Sequence, residues 1–270
     1  MTDIQSLLAV PTDAQIEHGI VVVTPDRANE FDEHWASAEH AIPAGKREAA
    51  RRFLAPILQD DRVHGVVLDA GCGDGVHAVL LEEEAPGGTL RVGLDISGRA
   101  LHSTRARVGD RWQLVQAGLE DLPFRDETFD LVYAYGVVAY TDDPSRSVSE
   151  LARVTRRGGL VGIWVSPRHG GPAGAALAVV RAICSVVGRR GTLAIANALV
   201  PFLGLLPTAS RVTLRTAGWR GCREVVLVNI APRRLVFPSR DEVAGWVTHA
   251  GLDVIDEPRD TPVTIWAQRP

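Results

Sequence analysis

Lysine is nearly absent from this 270-residue chain: of 29 basic residues only Lys46 is a lysine, and the other 28 are arginines. An arginine-rich codon pool accounts for that bias more simply than function does. It still excludes one chemistry, because a phosphate-cradling P-loop needs a Gly-Lys-Ser/Thr run and none is present. Cysteine is also scarce. Cys72, Cys184 and Cys222 include no Cys-x-x-Cys pair, so neither a disulfide framework nor a thiol-rich metal site is expected, and a reducing compartment is implied. Long apolar runs are missing too. The longest, Ala173 to Val187, contains Arg181 and falls short of the roughly 18 to 20 residues a bilayer requires. The first residues lack a basic start followed by an apolar run, so no secretory signal is expected. A cytoplasmic protein without a membrane span is the resulting expectation. A formal charge of −4 argues against a broad phosphate-binding surface, and 46% hydrophobic residues exclude a mainly disordered chain.

What the chain does have is an alternation. From Val63 onward, short apolar runs at 66–70, 90–95, 112–117, 129–135 and 159–165 are separated by helix-length segments. Continuous apolar strands between helices mark a parallel sheet covered on both faces. Before this core lie a β-type run at Ile20–Val23 and an amphipathic helix expected over Gly45–Leu58, with Pro56 positioned to end it early. After Pro167 come two apolar helix-length segments broken by Gly188 and Gly191. A helix at Ser239–Ala250 and two final strands, LDVIDE and TPVTIWAQ, close the pattern.

Between the first core strand and its helix lies Asp69-Ala70-Gly71-Cys72-Gly73-Asp74-Gly75. Glycines there allow a tight turn and close approach to a ligand, and the next helix presents its free N–H groups at the same place. The dinucleotide pattern G-x-G-x-x-G does not fit, since the third glycine arrives one residue early and Val76 stands where glycine is wanted. A nucleoside without a pyrophosphate fits better. Asp95, at the end of the next strand, is placed to accept both hydroxyls of a ribose.

The run VVLDAGCGDG, followed by VGLDIS, GLEDLPFRDETFDLVYAYGVVAYTDDP and ELARVTRRGGLVGIWV, resembles the class I S-adenosylmethionine-dependent methyltransferases, small-molecule branch. The resemblance covers about residues 63–167. It implies an α/β, Rossmann-like, doubly wound and mostly parallel seven-stranded sheet, with an N-terminal helical arm and a helical lid inserted after strand 5. The corresponding division is an arm at 1–61, a cofactor-binding core at 62–167, a lid at 168–236, and a C-terminal helix and two strands at 237–270 that complete one domain. The implied cofactor is S-adenosyl-L-methionine. Asp69, Gly71, Cys72 and Gly73 would line its methionine end, Asp95 and Ile96 its ribose and one adenine face, Leu119 and Glu120 the adenine edge, and the Tyr135 carbonyl its amino group. Gly118 departs from the family, which commonly has Asp there to accept from the adenine amino group.

In this family the methyl projects beyond the strand that ends at Tyr135, so Tyr140 is expected to face the acceptor. By residue type, His34, His169 and Tyr140 are candidate bases, and Trp35, Tyr140 and Arg181 are candidate substrate contacts. Methyl transfer needs alignment more than a side-chain nucleophile. No His, Cys and carboxylate cluster has metal-ligand spacing. Base methyltransferases of this class carry Asn or Asp followed by Pro-Pro and an aromatic, where this chain has Ala134-Tyr135-Gly136-Val137, so no nucleic-acid partner is expected. The apolar lid favours an apolar small-molecule acceptor, lipid-like or from secondary metabolism, or a homodimer contact. Arg181 alone makes no basic face, which disfavours an amphipathic membrane helix. Two alternatives stand beside methyl transfer: a cyclisation or decarboxylation on the same cofactor-bound fold, and a non-catalytic scaffold that binds the cofactor.

Overall fold

Each apolar run of the middle region becomes a strand. The computed structural model describes residues 4–9, 15–24, 42, 44–166, 171–201, 219, 222–223, 226–227, 230, 235–258 and 263–270. Within them β3 (Val66–Ala70), β4 (Leu90–Asp95), β5 (Trp112–Gln116), β6 (Phe129–Tyr135) and β7 (Thr155–Trp164) lie parallel. The closing strands β8 (Asp253–Asp256) and β9 (Thr264–Gln268) add on antiparallel, β9 against β7. With β1 (Gln15–Glu17) and β2 (Ile20–Val22) ahead of them in the chain, the sheet order is β1-β2-β5-β4-β3-β6-β7-β9-β8.

The sheet has nine strands where seven were expected. The two extra ones come from the arm, which is therefore not simply helical: β1 (Gln15–Glu17) and β2 (Ile20–Val22) form a hairpin whose second strand pairs in parallel with β5. His18 and Gly19 both have positive φ, 50° and 77°, the requirement of a tight two-residue hairpin turn. Ile20, Val21 and Val22 are all buried. At about 1.5–3 kcal/mol for each fully buried side chain of this size, they hold the hairpin on the sheet edge. Arg105 Nη2 donates to Gly19 O at 2.8 Å and fastens the turn.

Helices cover both faces. A single turn α1 (Ile4–Leu7) opens the described chain. Helix α2 (Ala44–Leu54) ends two residues before Pro56, four earlier than the expected Leu58, and packs with α3 (Val76–Glu84) and α4 (Gly98–Val108). On the other face lie α5 (Pro144–Val154), capped by Asp143, and α7 (Arg240–His249), where Ser239 and Glu242 form a capping box. Helix α6 (Gly171–Leu199) spans much of the expected lid and breaks at Gly188, whose φ of 66° and ψ of −177° are not helical.

Strand register is pinned at the end of the sheet opposite the glycine loop. Asp130 Oδ2 accepts from Val66 N at 2.6 Å while its other oxygen pairs with Arg156 at 2.7 Å. Gly65 makes room for this, because a Cβ there would overlap the Asp130 carboxylate.

Candidate active site

The loop after β3 is stitched to the neighbouring strand by its own backbone. Gly71 N and Cys72 N both donate to Leu94 O, at 2.6 and 2.9 Å. Gly71 has φ 87°, and a Cβ on it would stand 2.7 Å from Val137, so only glycine lets the loop pass beneath the turn that follows β6. Gly75, the N-cap of α3, offers no side-chain cap, which leaves the first N–H groups of that helix to other partners.

Asp95 organises the loop from β4. Its Oδ2 accepts from Gly73 N and its Oδ1 from Ser97 N, both at 2.9 Å, and the residue is 7% exposed. A carboxylate has about four lone-pair sites, so each oxygen can serve a backbone amide and a hydroxyl together. Thr104 closes the arrangement by donating to Gly73 O at 2.9 Å.

Asp69 is fully buried, and neither of its oxygens has a hydrogen-bond partner among the described residues. Burial pushes its carboxyl well above the usual carboxylate range; the nearby Tyr133 hydroxyl opposes this, while Asp95 and Asp74 add to it. Tyr133 lies close enough to act on Asp69, yet its hydroxyl also lacks normal hydrogen-bond geometry. Burial raises the Cys72 thiol well above its ordinary value, so it stays protonated and is no nucleophile. Glycines without a Cβ, helix N–H groups, a ribose-competent carboxylate and an orphaned buried carboxyl together fit an adenosine joined to an amino acid. At Gly118 an added Cβ would meet nothing within 4 Å.

The structure thus brings Asp69, Gly71, Cys72, Gly73 and Asp95 into one locality, with Ile96 next in the chain. Leu119 is 4% exposed in the core, and Glu120 commits one oxygen to Asp143 N at 2.6 Å. Tyr135 stacks on Trp164, centroids 4.4 Å apart and planes 14° apart, and burial raises its phenol to about 12.

An aromatic nest next to the loop escaped sequence reasoning. His77, on the first turn of α3, lies 4.7 Å from the Tyr135 ring and 5.9 Å from Phe53, which stacks on Trp266 at 5.0 Å. Burial, aided by the Lys46 charge, drives the His77 pKa down to about 3, so the imidazole is neutral. The signal available was the period of two that turns Tyr133 and Tyr135 to the same face of β6.

Beyond β6, Tyr140 ends a short 3-10 turn, Val138–Tyr140. Burial raises its phenol and the Arg181 guanidinium partly offsets that, which places the two side chains within electrostatic reach. Arg181 also donates to Leu235 O at 3.2 Å and lies 5.6 Å over the Phe237 ring, while Val236 N donates to Ala139 O at 2.9 Å. His34, Trp35 and His169 lie outside the described residues.

Comparison with known proteins points the same way. Residues 68–163 match a family model described as a methyltransferase domain. The chain is similar to a phosphatidylethanolamine N-methyltransferase of Cereibacter sphaeroides, 33% identical over 50% of this chain and 66% of the relative. It is likewise similar to the methyltransferase GfsG of Streptomyces halstedii, 34% identical over 52% of each. The chain therefore spans about half to two thirds of the length of these curated relatives. The fold resembles magnesium protoporphyrin IX methyltransferase from Synechocystis PCC 6803 with bound SAH, at a TM-score of 0.53, 16% identity, 89% of this chain and 93% of that one. The glycine loop and Asp95 lie inside this match, so residues 68–163 form a methyltransferase domain of the class I S-adenosylmethionine-dependent kind.

Proposed function

We propose that the protein transfers a methyl group from S-adenosyl-L-methionine to an O, N or C atom of an apolar small molecule, lipid-like or from secondary metabolism, and releases S-adenosylhomocysteine. The observation that carries this reading is the joining of the turn after β6 to the mainly apolar α6: Arg181 donates to Leu235 O at 3.2 Å and Val236 N donates to Ala139 O at 2.9 Å, next to Tyr140. Names of relatives add support, one of them a phosphatidylethanolamine N-methyltransferase. On this reading the core at 62–167 and 237–270 holds the cofactor, the arm at 1–61 flanks it, and the lid at 168–236 covers the acceptor in one cytoplasmic domain.

When bound, the cofactor supplies an electrophilic methyl on a sulfonium. Asp95 would hold the ribose hydroxyls, the backbone at Gly71 to Gly73 would lie along the methionine end with Asp69, and Ile96, Leu119 and Glu120 would border the adenine. Tyr140, its phenol raised by burial, is protonated at neutral pH; it positions the acceptor by donating a hydrogen bond and does not act as the resting base. Tyr135 and Trp164 stack on each other at the adjoining ends of β6 and β7, and an aromatic face left open there would suit a sulfonium. Alignment of acceptor, methyl and sulfur supplies the main acceleration.

The test is incubation with isotopically labelled methyl donor and fractionated apolar metabolites. Label in a small apolar product is expected; label in RNA or protein overturns the substrate class. Cofactor binding with conversion of a metabolite but no label points to cyclisation or decarboxylation, and binding without any conversion points to a scaffold.

A further inference from the structure

One side of α6 packs inward and the other does not. Cys184 and Ala196 are buried in a small lid core with Val200, Cys222, Val226 and Ile230. On the outer side Val179, Ile183 and Val186 are 60%, 47% and 84% exposed, at spacings of four and three residues that align them in one stripe. A solvent-facing helix side ordinarily carries charge. Here the only charge between Gly171 and Gly188 is Arg181, and it turns toward Leu235 and Phe237. The next charged residue on the helix with a described exposure, Arg190, is exposed.

The charge of the sequence segment that contains this helix is one-sided. Residues 168–236 contain ten arginines and a single carboxylate, Glu224, a net charge of +9 in a chain whose total is −4. The remaining 201 residues carry 19 basic and 32 acidic side chains, net −13. The helix has no basic face of its own, but the segment it belongs to is strongly basic. An apolar stripe set in a cationic segment, on an otherwise anionic body, matches the surface of an anionic bilayer. On such a surface the stripe would enter the acyl boundary, exposed Arg190 and the net positive charge of the segment would be attracted to lipid phosphates, and repulsion of the acidic remainder would favour a lid-down orientation. A second copy docking lid to lid would bring two +9 segments together, which disfavours the homodimer expected through this surface. An acidic soluble protein would meet the arginines and leave the stripe in water. No helix among the described residues is long and apolar enough to cross a membrane, so the contact is interfacial.

We infer that the lid insertion docks on anionic lipid bilayers through the Val179, Ile183 and Val186 stripe, with its arginines binding the lipid phosphates. Docking itself is independent of the acceptor. Resting on the proposed apolar acceptor, it adds that the bilayer is the phase from which the acceptor enters beside Tyr140 and Arg181.

The test is flotation of the full chain with vesicles of phosphatidylglycerol and phosphatidylcholine in equal parts, against pure phosphatidylcholine. Binding to the anionic vesicles is expected to be at least about tenfold tighter and to fall steeply as salt is raised. Val186→Asp, and the uncharged Val186→Ser, should each weaken it, the first by about tenfold or more, with S-adenosylhomocysteine affinity unchanged by calorimetry. Three results overturn the inference: no vesicle binding at low salt, equal binding to both vesicle types, or variants that bind like the parent. A concentration-dependent dimer abolished by Val186→Asp also overturns it, and assigns the stripe to a second copy. Because calorimetry and label transfer are read separately, failure of docking is distinguishable from failure of the proposed reaction.

Discussion

Lys46 Nζ lies 2.6 Å from Asp74 Oδ1, so the single lysine of the chain ties α2 to the glycine loop. Arg107 reaches the other Asp74 oxygen at 3.3 Å. Asp74 is the nearly buried partner, with 8% of its side chain exposed against 40% for Lys46. Loss of the carboxylate therefore matters more than loss of the lysine. Asp74→Asn is expected to raise the Kd for S-adenosylhomocysteine by about tenfold or more, since it weakens two ion pairs at once, while Lys46→Met, a half-exposed partner, should cost only about two- to fivefold. Titration calorimetry on both variants checks the ranking, and a larger effect for Lys46 would contradict it.

Asp95 serves the loop and the proposed ribose site together. Asp95→Ala strands the amides of Gly73 and Ser97 and removes both proposed hydroxyl contacts, each worth about 1.5–3 kcal/mol for a charged acceptor. Cofactor affinity should fall by about a hundredfold or more. Unchanged affinity would mean that the ribose lies elsewhere.

Gly118 stands in open space at the proposed adenine edge. Gly118→Asp restores the acceptor common in the family, meets no neighbour at Cβ, and reduces the freedom of the unfolded chain. One gained hydrogen bond of about 0.5–1.5 kcal/mol predicts a Kd for S-adenosylhomocysteine lower by roughly two- to tenfold. Equal or weaker binding would show that the adenine amino group points away from this position.

His77 makes stability depend on acid. Its pKa is about 3 in the fold and 6.5 as the reference value, so between those values the unfolded chain binds a proton that the folded chain does not. Stability from this group is intact above about pH 6.5 and falls toward pH 3, by up to about 1.4 kcal/mol per pH unit. Replacing the imidazole by a ring that does not titrate, His77→Phe, should flatten the loss of Tm between pH 6.5 and 4 relative to the parent. Thermal melts across that range measure it, and parallel curves would rule His77 out as the source.

How much was legible follows the periodicity. Strands β3 to β6 were readable to within a residue, because each is an apolar run buried on both faces and bounded by polar or glycine residues. Strand β7 starts four residues ahead of its apolar run at Gly159, since Thr155 resumes pairing with Phe129 across an irregular stretch containing exposed Arg156 and Arg157. Of the hairpin at 15–22 the second strand was readable as the β-type run at Ile20–Val23, but the first, three exposed residues long, is too short to show alternation, although His18-Gly19 carried the turn. Motif spacing announced the glycine loop and Asp95, but the ion pair of Lys46 with Asp74 joins residues 28 positions apart. No local pattern encodes that. The same holds for His77, whose neutrality is a property of the aromatic rings that the tertiary fold gathers around it.

Asp130 sits far from the glycine loop, yet it governs the loop's aim. By capping Val66, it fixes where β3 begins relative to β6, and five extended residues then act as a ruler about 17 Å long that carries Asp69 to the far rim and Gly71 beneath Val137. An offset of one residue would swing every side chain of β3 to the opposite face and leave the Asp69 carboxyl on the wrong side of the sheet. Catalytic geometry at one rim of the sheet is thus calibrated at the other, so a defect at Asp130 or Gly65 would be read out as lost cofactor affinity without touching a single residue of the site.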